Sequence, residues 1–512
     1  MDIERARKKL FEKDETNGYI DREAALDRFL SQEVPDAQPE KYVSALEYVL
    51  GALGCPVDED DLVVGRMNEG PIPYEMEPVP GNGFSHVGNP FIPFNRCAGH
   101  MSLYYTDLVK KGLSGIVEEM KACADLPRKK QYAAWARRSA EAIKAFAARY
   151  ANAAREAGLQ EAAEALLHVP YEGAYDFFSA VQSVWLMEMI LSCVTGGRDF
   201  AYSRLDLALQ PFYDSADEAH ELEILESFLL LNNSIGGMNS DLEKQMPVPC
   251  SAGNIYLMLG GRGAEEALPL SLLFLKAAEA VRLPQPVLAL RISENSVASW
   301  KDRAAELTEK LSGQVSFYND DALIPNLKKL GFPAAEALNY TMSGCNRAEF
   351  CGHMSSDNFH NVPQSLLNAF YDPEVKDMEG LYQAFRREMD RDMEDALGNY
   401  IFDPETEPRF FLESLLLAGC PESVTDVENG GQRVQSMVHH LCGFATAANS
   451  LAAIDKAVFK DRIMTLDEFR ALVKGNFEAN PLLGQTIRSR YPKYGNDDPA
   501  ADAYAAKVCE II

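Results

Sequence analysis

An α/β architecture, with parallel strands covered by helices, is what this sequence predicts, and two changes of rhythm along the chain predict it. From about Ser251, short apolar runs alternate with amphipathic segments. Asn254 to Leu259, Val287 to Ile292, Gln314 to Tyr318 and Tyr340 to Ser343 have the length of strands, with helices expected near Glu265 to Arg282, Val297 to Ser312 and Ala322 to Leu330. Strand, helix, strand repeats imply parallel pairing. Before that point the pattern is helical, with apolar residues at spacings of three and four in Glu40 to Leu53, Leu103 to Cys123, Gln131 to Ala157, Tyr175 to Cys193 and Glu218 to Leu231. Periodicity alone leaves a closed barrel and an open sheet equally open.

The predicted organisation is therefore a mainly helical wrapping region over 1–250 and a region over 251–512 that holds the strands and closes on helices, the latter read as one structural unit. The stretch Gly70 to Pro93 is rich in Pro and Gly and reads as a long ordered loop. After Cys345 the chain reads as helical again, most clearly in Leu451 to Phe459, Thr465 to Phe477 and Ala500 to Ile512. Asn496, Asp497 and Asp498 suit a turn or a helix cap before Ala500.

Charge and composition exclude whole classes. The 512 residues carry 49 basic and 77 acidic side chains, a formal charge of −28, which repels a phosphate backbone and argues against a nucleic-acid partner. The longest apolar runs fall short of the ~20 residues that cross a bilayer, so no membrane partner is expected. The charged start MDIERARKKLFEKDET has no apolar stretch of a secretory signal, and a cytoplasmic protein is expected. Ten scattered cysteines without a CxxC pair do not make a disulfide framework. Cys345, Cys351 and His353 form the one close Cys/His cluster. A metal-dependent hydrolase built on them is an alternative, but the spacing lacks a second ligand pair and no metal is expected.

In α/β folds, functional residues gather after the carboxyl ends of strands. Two segments hold that place: Phe317-Tyr318-Asn319-Asp320 and Gly344-Cys345-Asn346-Arg347. A cysteine directly after a glycine has close access to a cavity, although by position alone a lone Cys is more often a small buried apolar residue. His353 and His360 follow closely and could move protons, but a structural role suits them better. His439-His440 carries no recognisable spacing.

Seven ordered segments make a stronger case: EDDLVVGRMN, CAGHMSLYYTDLVKKGLSGI, FFSAVQSVWLMEMILSCVTGGRDFAYSRLDLALQPFY, VRLPQPVLALRI, FYNDDALIPNL with NYTMSGCN, ATAANSLAAIDKAVF and PKYGNDD. Together they resemble the successive signatures of the glycyl radical enzymes related to pyruvate formate-lyase. The resemblance implies a helix-wrapped ten-stranded barrel. It also implies a lyase-type reaction in which a glycine Cα radical takes a hydrogen atom from a cysteine and the resulting thiyl radical takes one from a small-molecule substrate. Cys345 matches the radical-bearing cysteine. Such a site must keep oxygen and water away from both radicals, so the enzyme is expected to be anaerobic.

Two departures bear on substrate and mechanism. Most lyases and dehydratases of the family read Gly-Cys-x-Glu, with the glutamate as a base; here that place is Arg347, and Glu349 is the carboxylate that could substitute. Many relatives read Gly-His-Ser where this chain has Gly197-Arg198-Asp199, so Arg198 puts a fixed cation at a substrate-facing position and implies an anionic substrate group. Pairing of Arg198 with Asp199 or Asp206 is the plain alternative. Asp206 and Phe317 match residues that face substrate in relatives, and Arg347 joins them as a substrate-binding candidate.

The family's radical glycine sits in an Arg-Val-x-Gly-Tyr motif beyond the PKYGNDD signature. No such motif occurs here, and only 17 residues follow Gly495. The resemblance therefore implies an incomplete barrel with the glycyl radical domain absent. The expected partners are a small glycyl-radical-domain subunit and, through it, a radical S-adenosylmethionine iron–sulfur activating enzyme. No cofactor is expected in this chain. The readings are the cysteine subunit of a split enzyme, a truncated fragment of a full-length lyase, or an inactive relative that binds or scaffolds.

Overall fold

The computed structural model describes residues 2–11, 18–35, 38–66, 101–195, 200–234, 255–261, 268–311, 314–344, 347–398 and 410–512. The expected loop from Gly70 to Pro93 lies outside them. The chain forms two compact units, residues 1–355 with 402–435, and residues 356–401 with 436–512. This replaces the expected division at residue 250, because strands from both sides of that point share one sheet.

The first unit is built on parallel strands β2 (Tyr256–Leu259), β3 (Val287–Ile292) and β4 (Val315–Asn319), in that order. The helices Leu268–Val281 and Ala298–Lys310 make the crossovers. β2 continues onto the segment 201–203, with Tyr202 N–H donating to Tyr256 C=O at 2.8 Å, and from there to β1 (Met101–Ser102), where Ala201 N–H donates to Met101 C=O at 2.8 Å. These short pieces sit in the half of the chain that reads as helical, since two or three paired residues leave no periodicity to detect.

Alternation gives the sheet two faces. Leu257, Leu259, Leu288 and Leu290 belong to the large core shared with the wrapping helices, whereas Ala201, Tyr256, Met258, Ala289 and Tyr318 form a separate apolar cluster. In the wrapping layer every residue of the helix Phe177–Met189 is buried. Asp176 caps it, accepting from Ser179 N–H at 2.8 Å. With its π-helical continuation to Val194 this helix has the length and composition of a membrane span, which the run lengths of the sequence did not suggest. It is 94% buried inside the protein, as a core helix is.

Tyr340–Ser343 (β5) departs from the expected parallel series. It turns back as a hairpin with β6 (Arg347–Phe350), a strand that the sequence reading placed in a helical region. β7 (His353–Met354) then pairs antiparallel with β1.

The second unit holds two parallel strands, β8 (Ser356–Asn361) and β9 (Met437–Cys442), also unexpected from the sequence. Their helices are Val362–Tyr371, Met378–Gly398, Phe444–Ile454 and Pro499–Ile511, with Leu366, Phe385, Leu451 and Val508 in the core. Asp498 caps the last helix, accepting from Ala500 N–H at 2.9 Å. His360 is buried, bonded to Asp392 and to His439 at 2.8 Å each. Burial, then the neighbouring His360 and His440 rings, hold His439 below the ordinary imidazole range.

Candidate active site

The site is a hairpin. Tyr340, Thr341, Met342 and Ser343 face Phe350, Glu349, Ala348 and Arg347 in register, and Gly344 takes φ +53°, which a glycine adopts without strain. Cys345, the expected radical carrier, follows Gly344 in the connection and lies outside the described residues, as does Arg198. The strands on either side of the connection are described. Tyr340, Met342, Ala348 and Phe350 lie on one face and share the apolar cluster of Ala201, Tyr256, Met258, Ala289 and Tyr318. The hairpin therefore rests on the sheet face turned away from the wrapping helices.

A buried ionic staple holds it there. Arg291 on β3 pairs with Asp320 just beyond β4, at 2.9 and 3.2 Å, and Tyr340 O–H donates to the same carboxylate at 2.7 Å. The guanidinium lies 4.4 Å from the centre of the Tyr340 ring. Burial raises the Tyr340 phenol well above its ordinary range, so the tyrosine is a donor throughout the physiological range. Sequence reasoning placed Asp320 in a segment after a strand end but did not single out Arg291 or Tyr340; their signal was their presence in VRLPQPVLALRI and NYTMSGCN.

The other face of the hairpin is polar: Thr341, Ser343, Arg347 and Glu349. Glu349, the expected base, stands opposite Thr341 in the ladder. Its carboxylate is also engaged: Arg347 donates from Nη2 at 2.8 Å and Nε at 3.1 Å, Ser355 Oγ donates at 2.8 Å, and His353 Nδ1 bonds the second oxygen. Glu349 holds Arg347 in place. Arg347, two residues from Cys345, is the buried cation of this face.

Asp206, an expected substrate contact, lies in the described part of the chain. It is fully buried and takes five donors: Arg204 Nε and Nη2 at 3.0 and 3.3 Å, Ser271 Oγ at 2.8 Å, Gly260 N–H at 3.1 Å and Leu207 N–H at 2.9 Å. These bonds make it the anchor of Arg204 and of the turn after β2. Gly260 has φ +80° and lies against the Trp300 ring, where a Cβ would come within 2.5 Å, so the backbone N–H reaches Asp206 only from a glycine. Phe317 is 48% exposed and, by alternation, lies on the opposite face of β4 from Tyr318, the residue that packs with the hairpin. Burial pushes the Tyr318 phenol up to about 12.

Among the described residues no group of three or more His, Cys, Asp or Glu side chains could hold an ion; Cys345, one of the three residues of the metal alternative, lies outside them, and His353 Nδ1 bonds Glu349. Burial pushes the Cys351 thiol up to about 11, the behaviour of an inert thiol.

Residues 84–512 match the family model described as pyruvate formate lyase-like. The chain belongs to that family. Among similar proteins are the isethionate sulfite-lyase of Bilophila wadsworthia, 27% identical over 409 residues, and the trans-4-hydroxy-L-proline dehydratase of Clostridioides difficile, 24% identical over 418. The matches cover 72% and 73% of this chain but 49% and 51% of those relatives, so the chain spans about half the length of the curated relatives it matches. Among solved structures, a glycyl radical enzyme from Archaeoglobus fulgidus superposes with a TM-score of 0.83 at 21% identity, covering 99% of this chain and 78% of that one. The glycerol-bound form of the B12-independent glycerol dehydratase from Clostridium butyricum gives 0.81 at 20%, covering 99% and 77%. The fold is the helix-wrapped α/β barrel type of the glycyl radical enzymes, and β1 to β4 with the cysteine hairpin are its part in the first unit.

Proposed function

We propose that this chain is the cysteine-bearing subunit of a cytoplasmic, anaerobic glycyl radical enzyme. In this reading Cys345 abstracts a hydrogen atom from a small polar, anionic substrate and starts the breaking or rearrangement of a C–C, C–O or C–N bond. One observation carries the reading: Cys345 is in the connection of a hairpin that the Arg291–Asp320–Tyr340 staple and an apolar face fix against the sheet. A sulfur that must meet both a radical donor and a substrate needs such fixed placement and a dry surround. Relatives named for isethionate and trans-4-hydroxy-L-proline support a small polar substrate. Arg347, two residues after Cys345 in the sequence, and Arg198, which stands where many relatives have a polar residue, are the cations proposed to meet an anionic group.

The glycyl radical comes, in this reading, from a partner polypeptide modified by a radical S-adenosylmethionine activating enzyme. What that radical supplies is removal of one hydrogen atom from the Cys345 thiol. The residues of this chain hold the sulfur, bind the substrate and exclude water. One feature supports a partner. In the second unit Phe359 on β8 is 69% exposed and stacked on His440 with ring centres 4.5 Å apart, an apolar side chain open to association.

The test is reconstitution of the chain with its activated partner under anaerobic conditions. Cys345→Ser should abolish turnover and the substrate-derived radical signal while leaving the unfolding profile of the chain in place. Turnover that survives this substitution defeats the reading.

A further inference from the structure

Three side chains from three elements of the second unit are joined in one line. His360 on β8 bonds Asp392 of the helix Met378–Gly398 through Nδ1 and His439 of β9 through Nε2, both at 2.8 Å. The His360 ring is buried while the Asp392 side chain is 40% exposed, so the line runs from solvent into the sheet. These two bonds tie both strands to the helix. Proton counting fixes what the line can hold. An ionised carboxylate only accepts, so His360 Nδ1 carries a hydrogen and donates it. Between His360 Nε2 and His439 Nδ1 there is room for one proton. Two uncharged rings satisfy this, with His439 donating, and so does the pair after it takes up one proton, whichever ring carries the charge. A pair that has taken up two protons does not. Both facing nitrogens then bear hydrogens, both rings are cations, and the bond becomes a repulsion.

Asp392 offsets one positive charge on the pair, and the groups around it offer little for a second. His440, next to His439 along β9, is itself a base. The helix Val362–Tyr371, which packs on β9, has no charged residue. On the helix Met378–Gly398 the acids one turn to either side of Asp392 are Glu388, already bonded by Arg391 and Asn368, and Asp395, which is exposed. We propose that Asp392, His360 and His439 form an acid-sensitive latch, closed near neutral pH, whose opening by uptake of a second proton releases the helix Met378–Gly398 from β8 and β9. The sign follows from linkage. The closed latch holds His439 below the ordinary imidazole value of 6.5, and the open one lets it titrate there. The stability that the latch confers is therefore full above about pH 6.5 and is lost as pH falls below it. The latch involves neither Cys345 nor the first unit, and it stands apart from the proposed reaction.

The test is hydrogen exchange of the full chain, read peptide by peptide and corrected for the intrinsic dependence of exchange on pH. Between pH 7.5 and pH 5.5, peptides of the helix Met378–Gly398 and of β9 should lose about tenfold in protection, the factor set by going one unit below the ordinary imidazole value. Peptides of the helix Phe177–Met189 in the first unit should lose none. His439→Asn keeps a side-chain N–H that can face His360 Nε2 and takes up no proton, so its protection should stay within about twofold over the same range. The unaltered chain supplies a second reading that needs no variant to fold. With 15N-labelled histidine, the ring N–H resonance that couples to nitrogens of both His360 and His439 should be present at pH 7.5 and lost at pH 5.5. An equal loss of protection in His439→Asn, no loss in the wild type, a loss shared by the whole chain, or a bridging resonance that persists at pH 5.5 overturns the latch.

Discussion

At Asp206 five donors converge on one carboxylate with no access to solvent, and that arrangement determines what a substitution there does. Removing one partner of a buried ion pair leaves an uncompensated charge and costs about 3–5 kcal/mol. Asp206→Ala should therefore destabilise the first unit by that amount in denaturant titration. If Asp206 faced substrate instead, the variant would fold normally and lose only turnover. Phe317 gives the converse expectation. It is half exposed and off the hairpin face, so Phe317→Ala should change stability by no more than about 0.5 kcal/mol and leave substrate affinity unaltered.

At the scale of the element, the helix Phe177–Met189 buries a carboxyl in an apolar setting. Glu188 bonds Tyr105 O–H at 2.7 Å and Ser192 Oγ at 2.8 Å, yet burial outweighs both bonds and pushes its carboxyl up to about 7. The sign follows from linkage. An unfolded glutamate titrates near 4.5, so between there and about 7 the folded state holds the extra proton, and stability falls as pH rises through that window and levels off above it. Glu413 and Asp426, also raised to about 7 by burial, act in the same direction. Glu188→Gln mimics the protonated form. Its unfolding midpoint should exceed that of the wild type at pH 8 and match it at pH 5, and a gain of equal size at both pH values would show that the carboxyl is not protonated by burial.

At the scale of the whole molecule, Phe359 on β8 is 69% exposed and stacked on His440, an apolar pair that the proposed two-chain reading places at the association surface. Phe359→Glu should leave the unfolding of this chain within about 0.5 kcal/mol of the wild type, since the side chain is mostly solvated. In the proposed two-chain reading it should also weaken binding of the radical-bearing partner, measured by sedimentation, by at least tenfold. Undiminished association would move the interface elsewhere.

What the sequence determined by itself was the family, the parallel strands and the cysteine. Val287–Ile292 and Tyr340–Ser343 were legible to the residue because apolar runs of strand length stood between turn signals, and Cys345 because its neighbours match a family signature. The tertiary structure decided everything that depends on pairing partners. Two-residue strands such as Met101–Ser102 exist only through their neighbours, and β6, β8 and β9 are strands because a ladder holds polar residues that have no strand rhythm of their own. It decided, too, that Glu349 and Asp206 spend their charges on Arg347 and Arg204, and that His360 is held between Asp392 and His439. A carboxylate reads the same in sequence whether it faces a substrate or an arginine. Burial and the identity of the nearest donor, which separate the two, are properties of the fold.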